Sequence, residues 1–439
     1  MLALDRDHLR EKLRRYLRRD ERLRSVAEYT KGRFDAATRL TAHNWEHIYR
    51  DVLNAIVVGE GESANMDIVM PAIVMHDIGY LFGTGQDHAT RGAAELPGYL
   101  DAAGVAYSPE DIERLASCIR THKGRSWDQH PDGLEATVVA DADLLDKFGA
   151  VGTYQQIRAW NELRWSVAKV VEFGNRVITG LSLGTGTGRR LAEPGRPLIV
   201  DFFRELAREA EPYLDPSVEL GVLAASRDVR REKLRGYLER DPRLRSVATY
   251  TKDRFDAATT LTAHTWEHIY RDTLNAIVVG EAEGADMDTV LSAIVLHDIG
   301  YLYGAGTDHA ARGADKLSDY LDEAGVTYSA DEVVRLASCI RTHKGSGWDK
   351  RPESLEAKVV ADADLLDKFG ALGVYQHIRA CGEFNWSLAK IVGYNDTMSG
   401  LRLDTDTGRR LAEPGRQLMV DFLRELAREA EPYLDPVPI

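Results

Sequence analysis

The sequence predicts an all-α protein that contains two copies of one helical unit. Three observations indicate this. Apolar residues recur at helical spacing, as in residues 48–56, alternating strand patterns are scarce, and the chain repeats itself at an offset of 221 residues. The length of 439 residues exceeds that of one ordinary hydrophobic core and suits two domains.

The repeat extends over most of the chain. Arg6 opens RDHLREKLRRYLRRDERLRSVAEYTKGRF, and Arg227 opens RDVRREKLRGYLERDPRLRSVATYTKDRF. The period is far above the roughly 20–50 residues of stacked solenoid repeats, so each copy is interpreted as a whole domain. We expect a first domain at residues 1–215, a linker at 216–226 and a second domain at 227–439.

Local signals predict where several helices begin and end. Ser108 precedes Pro109, which is the usual order of an N-cap residue and the first helical residue, and Ser329 is its counterpart. Gly104 and Gly325 lie where a glycine just past a helix end is expected.

Each unit is predicted to be a bundle of roughly six to eight helices, the typical all-α solution to burying amphipathic faces. Residues 201–213 predict the closing helix of the first unit. The stretches 174–187 and 393–407 are rich in polar and small residues and predict long surface loops.

Composition limits the class of partner. The net charge of −14 argues against nucleic-acid binding, although a bound metal would still allow a small anionic substrate. No apolar run reaches the length of about 18 residues that a membrane span needs, and the N-terminus lacks the features of a secretory signal. Three widely separated cysteines suit a reducing cytoplasm.

Histidines and aspartates recur in a fixed order in both copies. In the first copy they are His43, His47, His76, Asp77, His88, His122, Asp141 and Asp143. In the second copy they are His264, His268, His297, Asp298, His309, His343, Asp362 and Asp364. Imidazole nitrogens and carboxylate oxygens bind divalent cations. His76-Asp77 ends an apolar run, where a buried carboxylate needs a compensating partner such as a cation.

The motifs HIYRD, HDIG and DADLLDKFGA resemble those of the HD superfamily of metal-dependent phosphohydrolases. The resemblance covers about His43 to Glu211 of the first copy. It implies two HD-type orthogonal helical bundles in tandem, which we expect to be related by a pseudo-twofold axis as in a fused dimer. The implied metal ligands are His47, His76, Asp77 and Asp143, and in the second copy His268, His297, Asp298 and Asp364.

Two assignments stay open at this point. His43 and His47 lie four residues apart and share a helix face, so His43 is left to support a ligand or to contact substrate. Asp141 competes with Asp143, and it is left to orient a ligand or to cap a helix.

His88 and His122, with His309 and His343, decide between one and two metal ions per domain. They resemble the additional histidines that bind a second metal in some HD proteins. The alternative is that His88 caps or packs while His122 contacts substrate phosphate. The metal is expected to be a divalent transition metal, with Mn, Fe, Co, Ni and Zn all suitable.

Catalytic roles follow if the site is hydrolytic. Asp77 and Asp298 are candidates to accept a proton from water. The cations expected to neutralise phosphate are Lys123 and Arg91, with Lys344 and Arg312 in the second copy; the alternative is that they are ordinary solvated cations. Tyr80 and Tyr301 replace the lysine of many HD phosphodiesterases, which disfavours a cyclic-dinucleotide substrate.

The resulting hypothesis is a phosphohydrolase with one active site per repeat, which acts on a small phosphorylated metabolite or nucleotide. Two alternatives are an HD-type mixed-valent diiron oxygenase and a non-catalytic, metal-bound ligand sensor. Trp127 and Trp348 lie in a polar loop and are expected either to anchor a helix or to stack on a base.

Overall fold

A computed structural model describes residues 6–83, 85, 87–124, 129–214, 229–347, 351–434 and 437, and over these residues the regular structure is entirely helical. The predicted linker at 216–226 and the tryptophans Trp127 and Trp348 lie outside the described residues. Among the described helices, none combines the length and apolarity needed to cross a membrane.

The first repeat carries the helices α1 to α12. They are α1 (Arg6–Arg19), α2 (Glu21–Ala36), α3 (Trp45–Gly61), α4 (Met66–Met75), α5 (Gly79–Phe82), α6 (His88–Ala102), α7 (Pro109–Thr121), α8 (Leu134–Leu145), α9 (Gly149–Glu162), α10 (Val167–Gly180), α11 (Gly186–Ala192) and α12 (Arg196–Ala210).

The second repeat follows the same order. Its helices are α13 (Val229–Arg240), α14 (Pro242–Ala257), α15 (Trp266–Glu283), α16 (Met287–Leu296), α17 (His309–Glu323), α18 (Ala330–Thr342), α19 (Leu355–Leu366), α20 (Gly370–Glu383), α21 (Leu388–Gly393), α22 (Asn395–Ser399) and α23 (Asp406–Ala430). Short 3₁₀ turns occupy Glu193–Gly195, Glu211–Tyr213, Ile299–Tyr303 and Glu431–Tyr433.

The predicted helix ends are confirmed. The Ser108 side chain accepts a backbone hydrogen bond at the start of α7, and Ser329 forms a reciprocal capping box with Glu332 at the start of α18. Gly104 and Gly325 follow α6 and α17 with φ of 68° and 67°, the left-handed conformation that favours glycine. Local hydrogen bonding therefore sets these boundaries.

The predicted long loops at 174–187 and 393–407 are wrong. Helix α10 continues to Gly180 and α11 begins at Gly186, while α22 lies within the second stretch and α23 begins at Asp406, so the residues without helix are 181–185, 394 and 400–405. Ile178, Leu181 and Met398 are buried in these segments. Their burial against neighbouring helices outweighs the weak helix propensity of glycine and threonine. Short helices of this kind also raise the number per repeat above the six to eight that we expected.

The buried apolar residues form three cores. One lies mainly among α1–α8, one mainly among α13–α19, and the middle core combines residues 144–214 of the first repeat with 365–434 of the second. Phe202 and Phe422 meet in the middle core with ring centroids 5.1 Å apart. Burying one such side chain contributes about 2 kcal/mol, so the shared core joins the repeats strongly.

The ends of the two repeats contact the opposite cores. Tyr433, near the end of the second repeat, packs in the first core and donates a hydrogen bond to Asn54 over 3.2 Å. Tyr213, at the end of the first repeat, donates to Asn275 in the second repeat over 2.8 Å. The contacts between the repeats are therefore reciprocal.

Two glutamates, Glu209 partly buried and Glu429 buried, cap helices across the same boundary. The carboxylate of Glu209 accepts a hydrogen bond from the backbone N–H of Leu372 over 2.8 Å, at the start of α20. Glu429 accepts from Val151 over 3.0 Å, at the start of α9. The glycines that begin α9 and α20 have φ of 75° and 76°, and a Cβ there would collide with the capping carboxylate. Both glycines are thus required by the contact.

We predict that Glu209 makes stability depend on pH, because burial raises its pKa to about 7. Above pH 4.5 the folded state then holds more protons than the unfolded state, so this contribution is complete below pH 4.5 and is lost as the pH rises through about 7. Glu209→Gln removes the charge and should gain roughly 1 kcal/mol on the wild type between pH 6 and pH 8. Urea unfolding at both pH values measures this. The exposed control Asp201→Asn should show no such gain, and an equal offset of Glu209→Gln at both pH values contradicts the idea.

Candidate metal centre

Five helices bring the candidate ligands of the first repeat together. Helix α3 carries His47 and Asp51 on its buried face, and four other helices place one or two ligands each at or near an end. These are His76 and Asp77 directly after α4, His88 at the start of α6, His122 directly after α7, and Asp143 near the end of α8. All seven side chains are buried.

The first group of ligands surrounds His47. Its Nε2 atom lies 3.3 Å from Asp51 Oδ2, 3.4 Å from Asp77 Oδ2 and 3.7 Å from Asp143 Oδ1. His76 Nε2 lies 3.4 Å from the same Asp77 oxygen. Ligand atoms that are each about 2.1 Å from one ion lie roughly 3 to 3.5 Å apart, so this spacing suits a single cation.

The second group of ligands lies on the other side of Asp77. His88 Nε2 and His122 Nε2 are 3.2 Å apart, and they lie 3.6 Å and 3.5 Å from Asp77 Oδ1. One oxygen of Asp77 therefore faces each group. This arrangement brings all six predicted metal positions of the repeat into one cluster and provides room for two adjacent ions.

The second repeat has the same arrangement. His268 Nε2 lies 3.5 Å from Asp298 Oδ2, and His309 Nε2 lies 3.1 Å from His343 Nε2. Two sets of its residues have ligand atoms close enough to share an ion: His268, Asp272, His297 and Asp364, and then His297, Asp298 and His343.

Hydrogen bonds fix the histidine rings in the form that binds metal. The Nδ1 atoms of His76 and His122 lie 2.7 Å from the backbone oxygens of Ile73 and Ile119. Since a carbonyl oxygen only accepts, each Nδ1 carries the proton, and the lone pair of Nε2 faces the cluster. Burial lowers the pKa of His122 to about 4, so this imidazole is neutral near pH 7.

Asp146 orients His47 in a similar way. Its Oδ2 atom lies 2.8 Å from His47 Nδ1, and the fully buried Arg50 holds the carboxylate through Nε at 2.6 Å and Nη2 at 2.8 Å. Sequence reasoning missed Asp146 and Asp51. The signals were available, because Asp51 lies four residues after His47 on one helix face and Asp146 lies three after Asp143.

The residues present fit a divalent cation. Within the described part of the chain, both carboxylate oxygens of Asp51, Nε2 of His76 and Oδ2 of Asp77 are buried without a hydrogen-bond partner. Each such atom costs about 1–3 kcal/mol or more if it stays unpaired. Burial lowers the pKa of His76, but Asp77 raises it to about 9, so a proton takes up part of the charge when no cation is bound.

Asp141 and Asp143 differ in their hydrogen bonds. Asp141 accepts from the backbone N–H groups of Gly184 at 2.8 Å and Thr185 at 2.7 Å, which fixes the start of α11. Asp143 instead faces the cluster, and Lys147 Nζ lies 2.6 Å from its Oδ1. Although burial favours the neutral carboxyl, Lys147 lowers the pKa of Asp143 and keeps it ionised.

His43 lies beside the cluster rather than in it. Its Nδ1 atom is 2.9 Å from Glu162 Oε1, and its ring stacks on Tyr80 with centroids 4.1 Å apart. Tyr80 in turn stacks on His88 at 4.2 Å. Tyr80, which stands where many HD phosphodiesterases have lysine, therefore separates His43 from the second ligand group.

A cavity of about 170 Å³ opens above the first cluster, and its counterpart in the second repeat measures about 160 Å³. Lys123 and Lys344 line these cavities, as do Lys147 and Lys368, which the sequence reasoning missed.

Arg91 is placed differently. Its guanidinium donates to the backbone oxygen of Gly79 over 3.1 Å and pairs with Asp87. Arg312 makes the matching contacts with Gly300 and Asp308. Neither arginine belongs to the described lining of a cavity. The structure therefore does not bring the two predicted arginines to the metal cluster, because local partners hold them at the preceding turn.

Buried imidazole and carboxylate groups at the base of a cavity define a helical protein with a cluster of residues in each repeat that could hold metal. The HD domain family matches residues 265–368, which include His268 and Asp364. The uncharacterized protein YpgQ of Bacillus subtilis is 31% identical over 179 residues, which cover 38% of this chain and 84% of that relative. The chain belongs to the HD-domain family, whose members are typically metal-dependent hydrolases.

Solved structures of similar proteins cover slightly less than half of the chain. A predicted HD superfamily hydrolase from an uncultured Thermotogales bacterium is 28% identical and covers 45% of this chain and 98% of its own, with a TM-score of 0.32. Bacillus subtilis YpgQ in complex with ADP is 25% identical and covers 43% of this chain and 95% of its own, with a TM-score of 0.31.

We predict that substituting Asp143 affects metal binding, whereas substituting the neighbouring Asp141 affects the stability of the fold. Asp143→Ala with Asp364→Ala removes a ligand from both repeats and should lower the bound metal per chain roughly tenfold or more. Asp141→Ala with Asp362→Ala should keep the metal but destabilise the fold by about 1–2 kcal/mol, because a helix start loses its cap. Elemental mass spectrometry and thermal unfolding measure the two effects. If metal were lost only from the Asp141→Ala, Asp362→Ala variant, Asp141 and Asp362 would be the ligands instead.

Proposed function

We propose that each repeat is a metal-dependent phosphohydrolase that acts on a small phosphorylated metabolite or nucleotide. The observation that best supports this proposal is the position of Asp77. It presents one carboxylate oxygen to each of two groups of candidate metal ligands at the base of a cavity. Lys123 and Lys147 line the same cavity. Two lysine side chains in one cavity suit a phosphate group and the negative charge that develops on it during hydrolysis.

The proposed metal complement is two divalent transition-metal ions per repeat. His47, Asp51, His76 and Asp143 would hold one ion, and His88 and His122 the other, with Asp77 between them. A mixed set of imidazole and carboxylate ligands suits Mn, Fe, Co, Ni and Zn. Bound there, such ions lower the pKa of a bound water and polarise phosphoryl oxygens.

The charged side chains around the ligands then have distinct roles. Both oxygens of Asp77 face imidazoles, so Asp77 would hold metal rather than serve as the free proton acceptor that the sequence suggested. Lys147 holds Asp143 through a 2.6 Å contact, and together with Lys123 it neutralises phosphate oxygens. Arg91 is not needed for this role.

His43 is the proposed proton-transfer group. Glu162 accepts hydrogen bonds from His43 Nδ1 at 2.9 Å and from the backbone N–H of Ala42 at 2.9 Å, so the carboxylate is fixed in place. This pairing keeps the proton on Nδ1 and leaves Nε2 of His43, a residue of the cavity lining, to accept or return a proton. His264 and Glu383 repeat the pair at 2.8 Å.

The two adjacent groups of imidazole and carboxylate ligands also favour a second candidate function, the oxidation of a small organic substrate by a pair of irons. Metal identity separates the two candidates. Two irons per repeat, with oxygen uptake that depends on an organic substrate, would replace the hydrolase proposal.

We predict that the chain releases phosphate from at least one member of a panel of sugar phosphates and nucleotides, including ADP. His76→Ala and His297→Ala should each remove about half of the phosphate release summed over the panel, and the double variant should lower it at least about 100-fold, because each substitution disables one metal centre. The exposed His130→Ala is the control and should keep full activity. Loss of activity on every substrate of the panel from either single variant would refute two independent centres.

A second variant tests the proton-transfer pair. In the His297→Ala background, Glu162→Gln should lower kcat about 100-fold, because the proton is no longer held on Nδ1 of His43. KM and the metal content of the first centre should change little. If metal is lost together with kcat, the pair is structural and the assignment is wrong.

A further inference from the structure

The two cavities have the same base but different walls. In both, the base consists of the metal ligands and a lysine, Lys147 or Lys368, beside the last aspartate. The walls differ at several aligned positions, three of which lie on the helices α9 and α20 or just past their ends. Gln156, Trp160 and Leu163 line the first cavity, and His377, Cys381 and Phe384 line the second.

These three differences share one helix face. Positions 156, 160 and 163 follow the i, i+4, i+7 spacing that points side chains in one direction, and they run along α9 and just past its end. Neighbours that hold other site residues are kept: Gln155, which contacts Arg50, and Glu162, which contacts His43, recur in the second repeat as Gln376 and Glu383. The face that meets the cavity has therefore changed while the groups that position the ligands have not.

The first wall is flat and largely apolar. Trp160 and Trp165 stack with ring centroids 5.8 Å apart and an interplanar angle of 4°. Leu163, Val177 and Leu181 complete this side of the cavity. Such a wall favours a planar or apolar group through contact area.

The second wall carries more hydrogen-bonding groups. His377 Nε2 lies 3.7 Å from Cys381 Sγ, and its ring is nearly parallel to Tyr394 at 6.2 Å. Phe384 and Trp386 add aromatic faces around it. Burial lowers the pKa of His377 to about 4, so the ring is neutral near pH 7 and both donates and accepts hydrogen bonds.

We propose that the two centres act on different substrates, with the same chemistry at the phosphate and different selection of the attached organic group. The first centre selects a flat apolar group, and the second selects a group with a polar substituent that His377 recognises. This inference rests on the proposed phosphohydrolase function. A hydrogen bond required by a buried site discriminates more strongly than apolar contact alone, so differences of tenfold or more in preference are expected.

Binding measurements on the metal-loaded full chain test the inference without turnover. His297→Ala leaves the first centre and His76→Ala leaves the second. The probes are methylene-bridged nucleoside diphosphates with four different bases, and methylenediphosphonate serves as the base-free reference. Calorimetry should give similar Kd values for the reference at both centres and a ranking of the four nucleotides that differs at least tenfold for one pair. The same ranking at both centres overturns the proposal.

Exchanging the walls identifies the residues responsible. The triple variant Gln156→His, Trp160→Cys and Leu163→Phe, made in the His297→Ala background, should shift the ranking of the first centre toward that of the second. The control Ser182→Arg is an exposed difference between the repeats close to the same cavity, and it should leave the ranking unchanged. An unchanged ranking in the folded, metal-loaded triple variant overturns the assignment of these residues.

The outcomes separate this inference from the proposed function. If the probes bind with different rankings but no panel member is hydrolysed, the hydrolase proposal fails and the difference in selection stands. If phosphate is released from the same substrates with the same relative kcat/KM at both centres, the hydrolase proposal stands and this inference fails. If no probe binds either metal-loaded centre, the inference fails as well.

Discussion

The architecture of each repeat depends on one buried carboxylate, that of Asp77 in the first repeat and of Asp298 in the second. Asp77 lies directly after α4 and faces imidazoles on both sides, with Asp51 and Asp143 close by. Three carboxylates in a volume this small repel one another strongly at low effective dielectric. The helices that carry them pack tightly only if positive charge lies between them, so a cation compensates for the burial that the fold requires.

The surroundings of the cluster are arranged to support that charge. Arg50 is completely buried, an expensive position for a guanidinium, yet its contacts with Asp146 pair both charges and transmit orientation to His47. Backbone oxygens at the ends of α4 and α7 do the same for His76 and His122. Ligand direction is thus set before any ion arrives.

Much of this site could be predicted from the sequence. Short motifs carry His76, Asp77 and Asp143 in a fixed order, and Ser108 and Gly104 mark helix ends through local bonding that a few residues determine. Residues whose roles depend on distant partners were missed. The function of Asp146 depends on a histidine 99 positions earlier in the chain, a relation that no local spacing expresses.

The larger differences between the sequence predictions and the structure arise from contacts that the sequence does not reveal. Much of the stretch 174–187 is helical because tertiary burial stabilises it, and Arg91 is held by the backbone oxygen of Gly79 and by Asp87 rather than lining the cavity. The middle core was also beyond sequence reasoning, since amphipathic faces reveal that a helix packs but not against which copy.

The crossed chain ends have a consequence for the independence of the two halves. Because Glu209 and Glu429 each complete a helix of the opposite copy, and Tyr213 and Tyr433 each reach into the opposite core, neither half is a self-sufficient module. Deleting one copy would therefore leave a helix of the remaining copy, α9 or α20, without its capping glutamate. One chain supplies both halves in equal amounts, and within it the cavity walls differ between the repeats while the contacts that join the repeats are the same in both.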